Sequence, residues 1–218
     1  MFKQTTLITF RTEADEDARG RLQVSLAGLV CAEFSFVGTA LPGSHRGGDL
    51  VWHLHFADES AWRTSGGWEA LDTVLSDPAV QELDAAAYSV GQFGIRDPML
   101  RQGVYRTLFV GVSEATPQTI QTQFSGELAC LPNYIPEIRN WAMNATVAAR
   151  GEVPWTHVWE QEFASVDGLV GPYMMGPYHW AFVDRWFDDE MPEQIVANGA
   201  LRHSVSTLVE SVINRYGM

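Results

Sequence analysis

"VWHLHFAD" at residues 51–58 and "VWEQEFAS" at residues 158–165 carry Val, Trp, Phe and Ala at matched places, with a constant offset of 107. The match extends on either side. Upstream, "LAGLVCAEFSFVG" (26–38) is echoed by "GELACLPNYIPEIRNW" (126–141), which sets Cys31 opposite Cys130. The opening "TTLITF" (5–10) has its counterpart in "YRTLFVGV" (105–112). Three matches in one order, their offset drifting by a few residues, predict a duplicated chain.

Each copy alternates strand and helix signals. In the second copy a β-rich run (105–112) leads into "TPQTIQTQFSGELACL". There Thr116 is placed to cap a helix, with Pro117 at its first position. Ile120, Phe124 and Leu128 mark one face of that helix. "IPEIRNWAMNATV" reads as a strand, and "WTHVWEQEF" as another by its period-two alternation. A helical stretch is expected from Ser165 to about Ile195, interrupted by a break, and a last short strand near 203–209. The first copy repeats the order: strand 4–11, helix 14–30, strand 33–41, strand 49–57, helix 59–75 and strand 85–93. The fold class is therefore α+β, two ferredoxin-like βαββαβ units, each a four-stranded antiparallel sheet with helices on one face. The open sheet face of one unit needs a cover, and its sibling is the natural one. The units are assigned to residues 1–97 and 103–218, joined by the turn-rich "GIRDPMLRQG" (94–103).

The chain's 218 residues suffice for a sizeable core, and 46% hydrophobic with 19% charged residues describes a soluble globular protein. Twenty-seven acids against fourteen bases give a formal charge of -13. Nucleic acid and anionic membrane surfaces are therefore unexpected partners. No apolar run approaches the roughly 20 residues that cross a bilayer, and the N-terminus reads as a first strand, not a signal peptide. Two cysteines are too few for a disulfide framework, so a reducing cytoplasm is expected.

"THVWEQEFASVDGLVGPYMMGPYHWAF" (156–182) resembles the stress-responsive dimeric A/B-barrel family, and within it the plant olivetolic acid cyclases. The resemblance rests on Thr156-His157, on Phe163, and on a tyrosine six residues before a histidine with a proline two before it: Tyr173, Pro177 and His179. It implies a barrel of two sheets packed face to face, usually a homodimer, which a tandem duplication would build inside one chain. A monomeric pseudo-dimer or a homodimer of such chains is expected. The resemblance further implies that His179 is a general base assisted by Tyr173, and that His157 lines the pocket, without a cofactor. The first copy, with "GGWEALDTVLSDPAV" (66–80), keeps neither the tyrosine nor the histidine. The family's strand-one histidine is matched to Thr107, and another to Gly176.

The residues themselves allow this chemistry. Six residues along an ideal helix turn by about 600°, leaving Tyr173 and His179 roughly 120° apart unless the helix breaks between them. Gly176-Pro177 supplies the break. A histidine in the first turn after it, packed near Trp180, Phe182 and Trp186, is expected to stay neutral, as a general base must. A tyrosine hydroxyl beside it can donate to a carbonyl oxygen as charge develops there. The alternative is two polar groups at a core margin, with His157 a buried histidine bonded to backbone.

Trp159, Phe182 and Trp186 are expected to line the pocket, which points to a small aromatic substrate. Arg139 is a further candidate for holding a carboxylate or phenolate. Asp184 reads as part of a solvated face. His53 and His55 share a strand face and align with Glu160 and Glu162. Together they are either a metal-binding set or, the favoured reading, a buried polar seam between the halves that needs no metal. Nucleophile elbow, phosphate loop and paired CxxC are missing from the sequence. The expected function is cofactor-independent acid–base catalysis, making or breaking a carbon–carbon bond in a phenolic or polyketide-like compound. The alternative is a non-catalytic barrel that binds a small ligand.

Overall fold

The computed structural model describes residues 1–29 and 31–217. The first unit runs β1 (Phe2–Phe10), α1 (Glu16–Ala27), β2 (Phe34–Thr39), β3 (Leu50–Phe56), α2 (Glu59–Thr64), α3 (Ala70–Leu75) and β4 (Val80–Ser89). After β5 (Gln92–Ile95), the second runs β6 (Val104–Val112), α4 (Gln118–Cys130), β7 (Ile138–Arg150), β8 (His157–Phe163), a broken helical segment over 166–186, and β9 (Val196–Thr207).

Local chemistry sets most of these boundaries. Asp15 accepts from Ala18 N at 2.7 Å and opens α1, with Glu16 and Asp17 in its first turn, where acids favour the helix dipole. Val30, at the end of the helix expected over 14–30, lies outside the described residues. The single helix expected over 59–75 is two short ones, because Gly66 adopts a left-handed φ of 73° between them. Thr116 does not cap α4; Pro117 itself occupies the N-cap position. The first residues of the expected linker belong to β5, which pairs with β7. The last strand is far longer than expected because it pairs along almost all of β6.

Register bears out the duplication. Phe2 faces Phe56 and Gln4 faces Leu54 in the first unit, as Val104 faces Phe163 and Arg106 faces Gln161 in the second. The strands follow β2-β3-β1-β4-β7-β8-β6-β9, the same local order twice, joined where β4 pairs with β7. At the outer edges, β2 and β9 share no ladder. The segment after β2 is held to β9 by isolated bridges, Ala40 to Ser206 and His45 to His203. The sheet is thus continuous on one side and only bridged on the other, a departure from a fully closed barrel. The α+β, tandem ferredoxin-like class holds.

Three cores result. Each unit has its own between sheet and helices. The third lies between the two sheets, where Leu7, Val51 and Tyr88 meet Tyr105, Phe109 and Val158. Gly47 controls the bridged edge, since a Cβ there would run into the His203 carbonyl. Gly47→Ala is therefore expected to cost about 1–3 kcal/mol in chemical denaturation.

Candidate active site in the second unit

The segment 166–186 is not one helix. Pro172 sits in a π-type turn over Leu169–Tyr173, Gly176 is non-helical, and the chain resumes helical form at Pro177 before a second π-type turn over His179–Val183. The break swings Tyr173 and His179 toward each other, with ring centroids 4.8 Å apart and planes at 65°. Both line a cavity of about 420 Å³ between β6, β8, β9 and this segment, in the size range of small-molecule sites. Leu108, Leu128, Trp159 and Leu169 supply apolar wall. Pro42 and Gly43 reach in from the first unit, so the cavity is shared by both halves.

Its polar end is organised by Arg106, a residue that sequence reasoning overlooked. Arg106 Nη1 donates to Tyr173 Oη at 2.8 Å and to Gln161 Oε1, and Nε donates to His203 Nε2 at 2.7 Å. The guanidinium also lies 4.7 Å from the Tyr173 ring centre. Burial pushes His203 down to about 2, helped by Arg106, so it is the neutral acceptor this contact requires. Burial lowers Arg106 as well. Because Tyr173 Oη accepts from a cation, its own hydrogen is free for another acceptor, and the contact strengthens it as a donor.

Burial holds His179 below the ordinary histidine value; Asp184 pulls the other way and Arg106 adds to the depression. Asp184 Oδ1 lies 3.2 Å from His179 Nδ1, off the line of a well-directed hydrogen bond. Asp184 lines the cavity, so it is more than part of a solvated face. A proton on Nδ1, the nitrogen nearer the Asp184 carboxylate, leaves the Nε2 lone pair as the basic one.

The other expected site residues are distributed differently. Trp159 lines the cavity, and its indole N–H has no acceptor among the described residues. His157 is outside the cavity, its ring 5.4 Å from Phe124 of α4 and its Nδ1 2.8 Å from Thr156 Oγ1; burial takes it down to about 4. Phe182 points outward and stacks on Tyr178 at 4.7 Å. Trp186 is buried but turned to Glu127, to which its Nε1 donates at 2.8 Å. Arg139 borders a separate shallow hollow with Glu137 and Ser165. Thr107 faces Glu160 across the ladder, on the sheet surface opposite to Arg106; the pocket-facing position of strand one is Arg106.

His53 approaches Glu160 and His55 joins it through His53, in a buried polar seam. Their Nε2 atoms are 2.8 Å apart, His53 Nδ1 contacts Thr5 Oγ1 at 2.6 Å, and Glu160 lies 3.8 Å from His53. Glu160 also takes Lys3 at 2.9 Å, Tyr105 at 2.8 Å and Asn144 at 2.9 Å. Glu162 is held elsewhere, by the backbone N–H groups of Val212 and Ile213 and by Ser211 and Asn140. Among the described residues, no group of three or more His, Cys, Asp or Glu side chains is placed to hold a metal ion. Nor is any helix long and apolar enough to cross a membrane.

Residues 104–198 match the family model of the Stress Responsive A/B Barrel Domain. No curated protein matches the sequence. Among solved structures, an anthrone oxidase-like protein is 14% identical, with a TM-score of 0.70 over 96% of this chain and 91% of its own. A protein from Fusobacterium nucleatum assigned to the monooxygenases is 8% identical, with a TM-score of 0.56 over 96% and 92%. A mutant chlorite dismutase from Candidatus Nitrospira defluvii is 9% identical, with a TM-score of 0.51 over 98% and 92%. At these identities the likeness is one of fold.

Proposed function

We propose that this chain, whose second half is a stress responsive A/B barrel domain, is a cofactor-independent acid–base enzyme that makes or breaks a carbon–carbon bond in a phenolic or polyketide-like compound. The observation that carries the reading is the pairing of Tyr173 and His179, rings 4.8 Å apart, in the wall of one largely apolar cavity. In the aldol direction, His179 Nε2 takes a proton from carbon beside a carbonyl. Tyr173 donates to the enolate oxygen that forms. The carbanion attacks a second carbonyl carbon, and the new alkoxide recovers the proton from the imidazolium. In the retro-aldol direction His179 deprotonates a hydroxyl, the carbon–carbon bond breaks, its electron pair moves into an enolate held by Tyr173, and the enolate carbon takes the proton back from the imidazolium.

In this proposal the first unit is a degenerate copy that covers the second. Gln4 stands where Arg106 stands in the second unit, but it donates to Gly67 O at 3.0 Å and accepts from Trp62 at 2.9 Å. Both cysteines are free thiols, in keeping with a cytoplasmic enzyme, and the two halves supply each other's cover within a monomer.

The test is a turnover screen of phenolic aldehydes, aryl ketones and hydroxymethyl phenols. Anthrone is included because a full-length structural relative is an anthrone oxidase-like protein. His179-dependent turnover that makes or breaks a carbon–carbon bond supports the proposal, whereas oxidation of anthrone would replace it with oxidative chemistry. Binding of these compounds with no turnover would replace it with a non-catalytic ligand-binding barrel. A second measurement concerns Asp184. Its carboxylate raises His179, so Asp184→Asn should lower that pKa further and shift the acid limb of kcat/KM to lower pH. An unmoved limb would remove Asp184 from the mechanism.

A further inference from the structure

Arg106 carries a charge that no carboxylate among the described residues answers. Its side chain is buried, 5% exposed, and among the described residues no carboxylate oxygen lies within 4.0 Å of it. Its contacts, Gln161, Tyr173 and His203, are uncharged acceptors that engage Nη1 and Nε. Nη2 has no acceptor among the described residues, although Arg106 lines the cavity. Asp184 is the one carboxylate in the cavity wall; it stands beside His179 and its side chain is about half exposed. Two further buried donors close by lack acceptors among the described residues: Trp159 Nε1, from a residue in the cavity wall, and Gln161 Nε2, from the side chain that touches Arg106.

An uncompensated buried guanidinium is costly, and unmet buried donors add to that cost. Such a cluster persists where a ligand supplies the missing acceptor and charge. We infer that the cavity binds an aromatic carboxylate, its COO⁻ seated on Arg106 and its ring against Leu108, Trp159 and Leu169. A carboxyl group is ionised at neutral pH, whereas a simple phenol, with a pKa of about 10, is not. This deepens the proposed function by naming the charged group on its substrate, and it rests on that reading for the ligand's aromatic character.

The test is calorimetric binding of 2-naphthoate and of its uncharged isostere 2-naphthamide at pH 7, with 2-naphthol as the phenolic control. The acid should bind at least about tenfold tighter than the amide, a difference of roughly 1.4 kcal/mol. Arg106→Gln should erase the preference, and Arg106→Lys should restore part of it. Equal affinity for acid and amide, tighter binding of 2-naphthol, a preference that survives in Arg106→Gln, or no binding of any probe would overturn the inference. Should Arg106→Gln fail to fold, the wild-type comparison still decides. Binding is read without turnover, so an acid preference in an inactive protein would keep the anion site and discard the enzyme. Turnover of neutral compounds without that preference would do the reverse.

Discussion

Replacing His179 with alanine is expected to lower kcat/KM on the best substrate about a hundred- to ten-thousandfold, the range that a positioned general base supplies. Folding should persist, because the ring lines a cavity and its loss enlarges a space already present. The pH dependence carries the same assignment. His179 must be neutral to accept a proton, and burial holds its pKa below the ordinary histidine value. Activity should therefore be flat through neutrality and fall as pH drops through that lowered pKa, below about 6.5. Stability follows the same sign. Below about 6.5 the unfolded histidine binds a proton that the folded one resists, so His179's contribution falls with pH until the folded pKa is reached. Comparable activity of His179→Ala and wild type across this range would reject the base. Loss of activity together with loss of the thermal transition would mean that His179 is structural.

The largest expected stability effect lies in the seam between the sheets. Lys3 and Glu160 are fully buried with Nζ and Oε1 2.9 Å apart, and burial pulls Lys3 down to about 8 despite the carboxylate beside it. Desolvation thus outweighs attraction at the lysine, and the pair is better read as fixing how the halves meet than as a net source of stability. Removing one partner is a different matter. Lys3→Met leaves Glu160 in the interior facing Tyr105 and Asn144, which are neutral donors. The cost should be about 3–5 kcal/mol, and at about 2–4 °C per kcal/mol for a chain of this size Tm should fall by roughly 6–20 °C. Lys3→Met/Glu160→Gln should recover most of the loss, because the buried charge is then gone. A double variant no more stable than Lys3→Met alone would show that the pair contributes through packing rather than charge.

The site residues were legible in proportion to how local their causes are. The approach of Tyr173 to His179 follows from a glycine and a proline between them, so the sequence was enough to anticipate it. Phe182 and Trp186 were expected in the pocket because they lie close to His179 in sequence, and nearness in sequence does not fix which way a side chain faces. The π-type turn over His179–Val183 changes the angular phase, turning Phe182 outward while Trp186 bonds to Glu127. His157 shares a strand face with Trp159, as alternation requires, but Phe124 of α4 packs against it. Arg106 left a signal that was passed over: an arginine within the apolar run "VYRTLFVGV". Its importance depends on Gln161 across one ladder and His203 on β9, far away in the chain.

By itself, then, the amino-acid order determined the repeated βαββαβ plan, the strand faces and the kink that joins phenol to imidazole. All of these arise from periodicity and backbone preferences acting over a few residues. Tertiary structure alone decided that the outer edges are bridged rather than laddered, and that Pro42 and Gly43 of one half wall the cavity of the other. It also decided that a buried guanidinium stands there with no counterion among the described residues. Those outcomes depend on register and desolvation between segments tens to more than a hundred residues apart, where no local pattern specifies which groups will share a low-dielectric space.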